Sequence, residues 1–178
     1  MQLLTQRLLL RPFAPEDFEA VHSYASCYDN VRYMLFGPNT EQDTRAFLQH
    51  AIDWWNETPQ RAYEFAVVLR DTGRLIGGCG LTVQGTTGVL GWILHRDHWK
   101  QGYGAELGRA LLRFGFDEHG LHRITATCDA DNYGSYRVME RIGMRREGLF
   151  RQSRPGRACD PFPWADEFLY AILREEWV

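Results

Sequence analysis

The sequence predicts an α+β fold, an α/β sandwich with a mixed, mostly antiparallel central sheet and helices on both faces. Three observations carry that prediction. Helical three-to-four spacing and strand-like alternation take turns along the chain, in the order β-α-α-β-β-β-α-β-α-β-β. Three of those strands follow one another between residues 64 and 95 with only turn signals between them, as hairpins require. No internal repeat and no linker rich in Pro, Gly or Ser interrupts the 178 residues, so 1–178 is expected as a single domain with a substantial core.

The elements follow in order. "LTQRLLLRPF" (4–13) reads as a first strand, ended by Pro12 and Pro15. "APEDFEAVHSYAS" (14–26) reads as a helix with acids in its first turn and Phe18, Val21 and Ala25 on one stripe. A second helix is expected after Thr40, where Phe47, Leu48, Ala51, Ile52 and Trp55 recur at helical spacing. "EFAVVLRDTGRLIGGCGLTV" is a hairpin about Asp-Thr-Gly-Arg, and after "QGTTG" the run "VLGWILH" (89–95) is a third strand. Leu107, Leu111 and Phe114, with Ala110, mark an amphipathic helix closed near Gly120. "HRITATCD" (122–129) alternates, with Ile124, Ala126 and Cys128 on one face. "NYGSYRVMERIG" (132–143) is a helix ended by Gly143, and "MRREGLFRQ" and "DEFLYAILREEW" are the last strands, around a proline-rich loop at 155–163.

Composition excludes several classes. A net charge of −3 argues against a dedicated nucleic-acid binder, which carries a basic face. No apolar run approaches the ~20 residues of a membrane span, and the alternating opening lacks a signal-peptide pattern. Cys27, Cys79, Cys128 and Cys159 form no CxxC pair, so neither a metal site nor a disulfide framework is expected. A cytoplasmic protein, monomer or homodimer, fits this composition.

Two stretches stand out for chemistry. In "HWKQGYGAEL" (98–107), Gly102 and Gly104 lie one residue apart where strand gives way to helix. A helix starting there presents amides without partners, its dipole favours an anion such as phosphate, and glycine admits a ligand to the backbone. A plain tight turn into a helix accounts for the same residues. A dinucleotide fingerprint, Gly102-x-Gly104-x-x-x-Gly108, fits poorly, because hairpin strands precede it and the next strand offers only Asp129 as the ribose acid. In "DADNYGSYRVMERIGM" (129–144), Asn132 and Ser135 open a helix beside a strand end. They read as helix caps or as ligand contacts.

Taken together, these segments resemble the GNAT N-acetyltransferases, within the RimJ/RimL-like branch that modifies protein N-termini and assorted amines. The resemblance spans nearly the whole chain. "TQRLLLRPFAPEDFEAV" is similar to the branch's opening strand and helix, "DTGRLIGGCGL" to its central hairpin, and "GWILHRDHWKQGYGAEL" to its strand and acetyl-CoA loop. "HRITATCDADNYGSYRVMERIGMRREG" is similar to its Asn-x-x-Ser segment and "DEFLYAILREEW" to its last strand. The resemblance implies acetyl-CoA as cosubstrate, no metal, and direct transfer to a primary amine in a ternary complex. It implies 89–143 as the acetyl-CoA-binding core and 14–56 as a helical acceptor side. Residue by residue, it implies a pyrophosphate on the backbone amides of Gln101, Gly102, Tyr103, Gly104 and Ala105, and a pantetheine arm along the backbone of Ile93, Leu94 and His95. It places Asn132 and Ser135 by the arm and thiol, with Ser135 as proton donor, and Arg137 near the nucleotide phosphates. The chain departs from the family where Met139 replaces a frequent tyrosine acid and Val89 a frequent carboxylate.

Those departures leave the base to be found. Acetyl transfer needs a neutral amine, donors for the developing oxyanion (a backbone N–H near Leu94) and a proton for the leaving thiolate. Glu64, opening a central strand, is the candidate base; His95, Asp97 and His98 flank the loop. The acceptor, a protein N-terminus or a small-molecule amine, is expected between the 14–56 helices and the 155–163 loop, near Tyr33, Phe36, Trp54, Trp55, Phe162 and Trp164. A run of arginines, Arg141, Arg145, Arg146, Arg151, Arg154 and Arg157, reads as a solvated face or as a steering patch. Two other functions fit parts of the sequence: a non-catalytic acyl-CoA sensor, motivated by Met139 and Val89, and a nucleotide-dependent oxidoreductase.

Overall fold

The computed structural model describes residues 1–156, 160 and 163–177; Arg157, Cys159 and Phe162 lie outside the described residues. Its strands are β1 (Leu3–Leu4), β2 (Leu8–Pro12), β3 (Ala62–Leu69), β4 (Leu75–Gln84), β5 (Thr87–Leu94), β6 (Arg123–Asp129), β7 (Arg145–Pro155) and β8 (Trp164–Leu173). Its helices are α1 (Phe18–Ala25), α2 (Tyr28–Val31), α3 (Glu41–Trp54), α4 (Tyr103–Arg113) and α5 (Tyr133–Arg141). The strands form one sheet in the order β1-β2-β3-β4-β5-β6-β8-β7. Every pairing is antiparallel except β5 with β6. The α+β architecture expected from the patterning is therefore the observed one.

The differences are local and have local causes. The expected first strand is broken at Thr5, whose hydroxyl accepts the Leu8 amide and turns β1 back onto β2. The helix expected from residue 14 begins as a 3-10 turn at Pro15–Asp17. The helix after the glycine loop finishes as a π-helical turn, Phe114–Glu118. Helix α2, four residues long, is too short to show a period in sequence. Helix α3 starts where expected: Thr40 accepts the Asp43 amide, and the Asp43 carboxylate accepts the Thr40 amide.

Alternation along the central strands sorts the core onto two faces. One face packs Phe65, Leu81 and Leu90 against Leu107, Leu111 and Met139 of α4 and α5. The other packs Ala66 and Val68 against Val21, Tyr24, Leu48 and Ala51 of α1 and α3. Both layers grip β3–β5, so a site on either face rests on the same rigid strands. Truncating a buried leucine such as Leu107 or Leu111 would cost ~2–5 kcal/mol.

Candidate active site

Gly102 takes φ +84°, ψ −2° and is the N-cap of α4. A side chain is strained in that left-handed conformation, so the turn itself requires glycine. The amides of Tyr103, Gly104 and Ala105 precede the first helical bond, which Glu106 donates to Gly102 O at 3.2 Å. They form the unpaired start of an eleven-residue helix dipole, suited to an anion. Gly104 has a different reason to be glycine: a Cβ there would stand 2.8 Å from Val138 Cγ2 of α5, and at Gly108 one would stand 2.9 Å from Ile142 Cδ1. These two glycines let α4 and α5 approach.

The loop is braced from far away in sequence. Arg7 donates from Nη1 to Gln101 O at 3.0 Å and from Nε to Glu106 Oε2 at 2.7 Å. Thr5 Oγ1 donates to Glu106 Oε1 at 2.6 Å, and the Arg7 amide donates to the same oxygen. Burial pushes the Glu106 carboxyl up, but the bonds from Thr5 and Arg7 and the Arg7 charge outweigh it and hold the group below its usual range.

Beside the loop the sheet opens. β5 pairs with β6 only over Thr87–Val89, although β5 continues to Leu94 and β6 to Asp129. The ladder decides which groups face the gap. The His95 amide donates to Ile76 O on β4, and Ile93 lies in register with Gly78 on the same side. Alternation therefore turns the amides and carbonyls of Leu90, Trp92 and Leu94 to the open edge. Leu94 O already accepts Trp99 Nε1 at 2.7 Å and Asn30 Nδ2 at 3.1 Å. Of the three residues expected to line the arm, Leu94 thus offers its amide, while Ile93 and His95 are turned to β4.

Across the gap, α5 begins beside β6. Asn132 Oδ1 accepts the Ser135 amide at 3.1 Å, so Asn132 caps the helix. The Ser135 hydroxyl meets the Cys128 sulfur of β6; burial raises that thiol to about 11, against the effect of the serine bond. Ser135 thus faces the end of β6 that has parted from β5. Arg137 is half-exposed and paired with Glu140 at 2.7 Å.

On the α1/α3 face a cavity of about 660 Å³ reaches the same stretch of β5. Glu64 lies on its floor. Its register partners are Gly80 on β4 and then Gly91 on β5, a row with no side chains for the carboxyl to avoid. A methyl at Gly80 would overlap the Glu64 carboxyl oxygens. Among the described residues nothing donates to those oxygens, and burial alone raises the carboxyl to about 7. Trp55 Nε1 donates to the Glu64 carbonyl at 2.8 Å and fixes the strand beneath it. Tyr24, 2 % exposed, stands over Gly78, with its hydroxyl 3.4 Å from where a Cβ would be. Its phenol is raised by burial and then by the nearby Glu64 charge. Tyr24 lies within the helix expected at 14–26 but outside the stripe of Phe18, Val21 and Ala25, so no sequence signal marks it for the site.

Comparison with known proteins decides the family. The model of the acetyltransferase (GNAT) domain matches residues 7–145. The chain belongs to the GNAT acetyltransferases. It is 40% identical over 179 residues to an uncharacterised N-acetyltransferase, YnaD, of Bacillus subtilis (strain 168), covering 99% of both chains. It is also 40% identical to the crystal structure of a GNAT-family acetyltransferase from Bacillus anthracis, with TM-score 0.85 over 98% of this chain and 99% of that one. A ribosomal-protein-S5-alanine acetyltransferase from Vibrio fischeri shares the fold at 18% identity, with TM-score 0.78 over 100% of this chain and 99% of that one. The chain is thus an acetyl-CoA-dependent acetyltransferase.

Within this GNAT frame, other expectations sort themselves. Met139 is buried in the core, where a tyrosine acid is frequent in the family. Phe36 lines the cavity, but Trp55 packs against Tyr63 and Phe65, and Tyr33 lines a separate hollow with Arg32, Arg96 and Trp99. Trp54 and Trp164 do not line the cavity. The arginine run is mostly committed: Arg154 is buried against Asp129 and Glu167, Arg145 pairs with Glu176, and Arg146 lies over the Phe168 ring. His98 Nε2 is buried without a hydrogen-bond partner among the described residues, and burial lowers its pKa. Among the described residues no helix is long and apolar enough to cross a membrane.

Proposed function

We propose that this chain, acting over 1–178 as one N-acetyltransferase domain, transfers acetyl from acetyl-CoA to a primary amine by direct attack in a ternary complex. Residues 14–56 with the β3–β5 floor form the acceptor side, and 89–143 holds acetyl-CoA. When bound, acetyl-CoA supplies an acyl group activated as a thioester. The amides of Gln101, Gly102, Tyr103, Gly104 and Ala105 receive its pyrophosphate, and the open edge of β5 receives its arm. The fit rests on the left-handed Gly102 turn, the free α4 amides and the edge that β5 leaves unpaired. The Leu94 amide is the donor for the carbonyl oxygen as it gains charge.

Glu64 takes the ammonium proton, leaving a neutral nitrogen to form the new C–N bond. As the C–S bond breaks, Ser135 donates its hydroxyl proton to the departing sulfur and recovers one from the acylated nitrogen. The observation that carries this reading is Glu64: a buried carboxyl raised to about 7, without a counter-ion among the described residues, on a glycine-cleared floor that runs to β5. A base must sit near the working pH to be both free and strong enough. The test is the pH profile of kcat/KM for two acceptors of different amine pKa. An inflection near pH 7 that ignores the acceptor and disappears in Glu64→Gln supports the assignment. An inflection that follows the amine, with an active Glu64→Gln enzyme, refutes it.

A further inference from the structure

The acceptor cavity carries more information than its base. Its ionisable lining among the described residues comprises Asp43, Glu64, His50, Tyr24 and Cys79, with neither lysine nor arginine. Nearby guanidinium groups are held elsewhere: Arg11 is bidentate on Asp17, and Arg45 lies over the Phe18 ring, paired with Glu41. An acceptor bearing a carboxylate or phosphate would enter this space without a cation among the described lining to meet it and with the Glu64 carboxyl against it. A cation meets the opposite situation, with the Glu64 carboxyl and the Tyr24 hydroxyl on neighbouring rows of the floor.

The walls limit the rest of the molecule. Phe36, Phe47, Met34, Val21 and Ile93 present apolar surface, and about 660 Å³ accommodates a body the size of a small drug. A second ammonium is poorly served. Asp43, the other acid, is solvent-exposed in the α3 cap, where it accepts the amide and hydroxyl of Thr40, so its charge is screened and offers a second ammonium little. Among the described residues the floor offers no strand edge for a peptide beyond the β5 edge given to the acetyl-CoA arm: β3, β4 and β5 are paired to one another through Glu64, Gly80 and Gly91.

From this lining we infer that the acceptor is a primary monoamine on an apolar or aromatic body, without carboxylate or phosphate. The inference rests on the reading that Glu64 marks the acceptor site. Phenethylamine and phenylalanine make a matched pair of probes, since the second adds only a carboxylate. Titration calorimetry on the full chain saturated with CoA, at pH 8, is expected to give phenethylamine at least tenfold tighter binding than phenylalanine, spermidine or a short alanine-started peptide. Met34→Arg, which adds a cation to the wall, is expected to narrow or reverse the preference over phenylalanine while acetyl-CoA binding stays unchanged. A loss of fold would instead weaken every ligand together. Equal or tighter binding of phenylalanine, spermidine or the peptide to the unaltered chain overturns the inference. So does turnover of another amine without phenethylamine binding, an outcome that leaves the Glu64 mechanism standing. Selective phenethylamine binding without acetylation supports the acceptor class and overturns the transfer chemistry instead.

Discussion

The glycine loop and the cavity on the α1/α3 face each hold a partly or wholly buried carboxyl, and the fold treats the two in opposite ways. Glu106 is clamped by Thr5 and Arg7 and held below its usual range. Glu64 receives nothing from the described residues and rises to about 7. The loop is a structural brace that must keep its shape, so its acid is ionised and satisfied. On the proposed mechanism the cavity is a place for a proton to come and go, and its acid has no counter-ion among the described residues. A buried carboxyl near the physiological range costs stability, and such a cost is expected where chemistry needs the group.

The contrast is broken most forcefully at Glu64. Glu64→Gln is expected to lower kcat/KM by roughly a hundredfold or more, with acetyl-CoA affinity unchanged in calorimetry. The same substitution is expected to stabilise the protein at alkaline pH. Because the folded carboxyl titrates above its unfolded value, the wild type loses stability as pH rises from about 4.5 to about 7. Melting at pH 8 should therefore favour Glu64→Gln by up to ~3 kcal/mol, and the gain should vanish near pH 4.

On the loop side, Gly102 and Gly104 should separate. Gly104→Val drives a side chain into Val138 and is expected to cost ~1–3 kcal/mol of stability, read from denaturant midpoints, with partial recovery on adding Val138→Ala. Gly102→Ala is expected to cost less in stability, about 1 kcal/mol for the left-handed turn, and to weaken acetyl-CoA binding in proportion to how far the α4 amides move. Stability loss from Gly102→Ala with acetyl-CoA affinity unchanged would make that glycine a turn residue only.

A smaller effect is expected at Ser135. Ser135→Ala should reduce kcat by about tenfold with little change in acetyl-CoA affinity, the mark of an interaction made in the transition state. Unchanged turnover with a lower melting temperature would reduce Ser135 to a helix-start residue. The smallest is Glu106→Gln, expected to lower the melting temperature at neutral pH. Glu106 titrates below its unfolded value, so its contribution is present above pH ~4.5 and disappears as pH falls through the folded value. The two carboxyls should thus tilt the pH–stability curve in opposite directions.

The sequence by itself determined whatever depends on neighbours along the chain. The period of Leu107, Leu111 and Phe114, the helical spacing after Thr40 and the Asp-Thr-Gly-Arg hairpin are local signals, and each element stands where its signal lies. The Gly102 turn into α4 was legible for the same reason, since left-handed backbone asks for glycine wherever it occurs. Only the tertiary structure decided what depends on register and on residues far apart in the chain. The ladder turned Leu90, Trp92 and Leu94, rather than Ile93 and His95, to the open edge, a difference of one residue that no composition encodes. Folding carried Glu106 to Thr5 and Arg7, about a hundred residues away, and Gly104 to Val138. It also set Glu64 over Gly80 and Gly91 beneath Tyr24. Burial raises that carboxyl, with no counter-ion among the described residues to oppose it, and both are properties of a packed space rather than of a sequence.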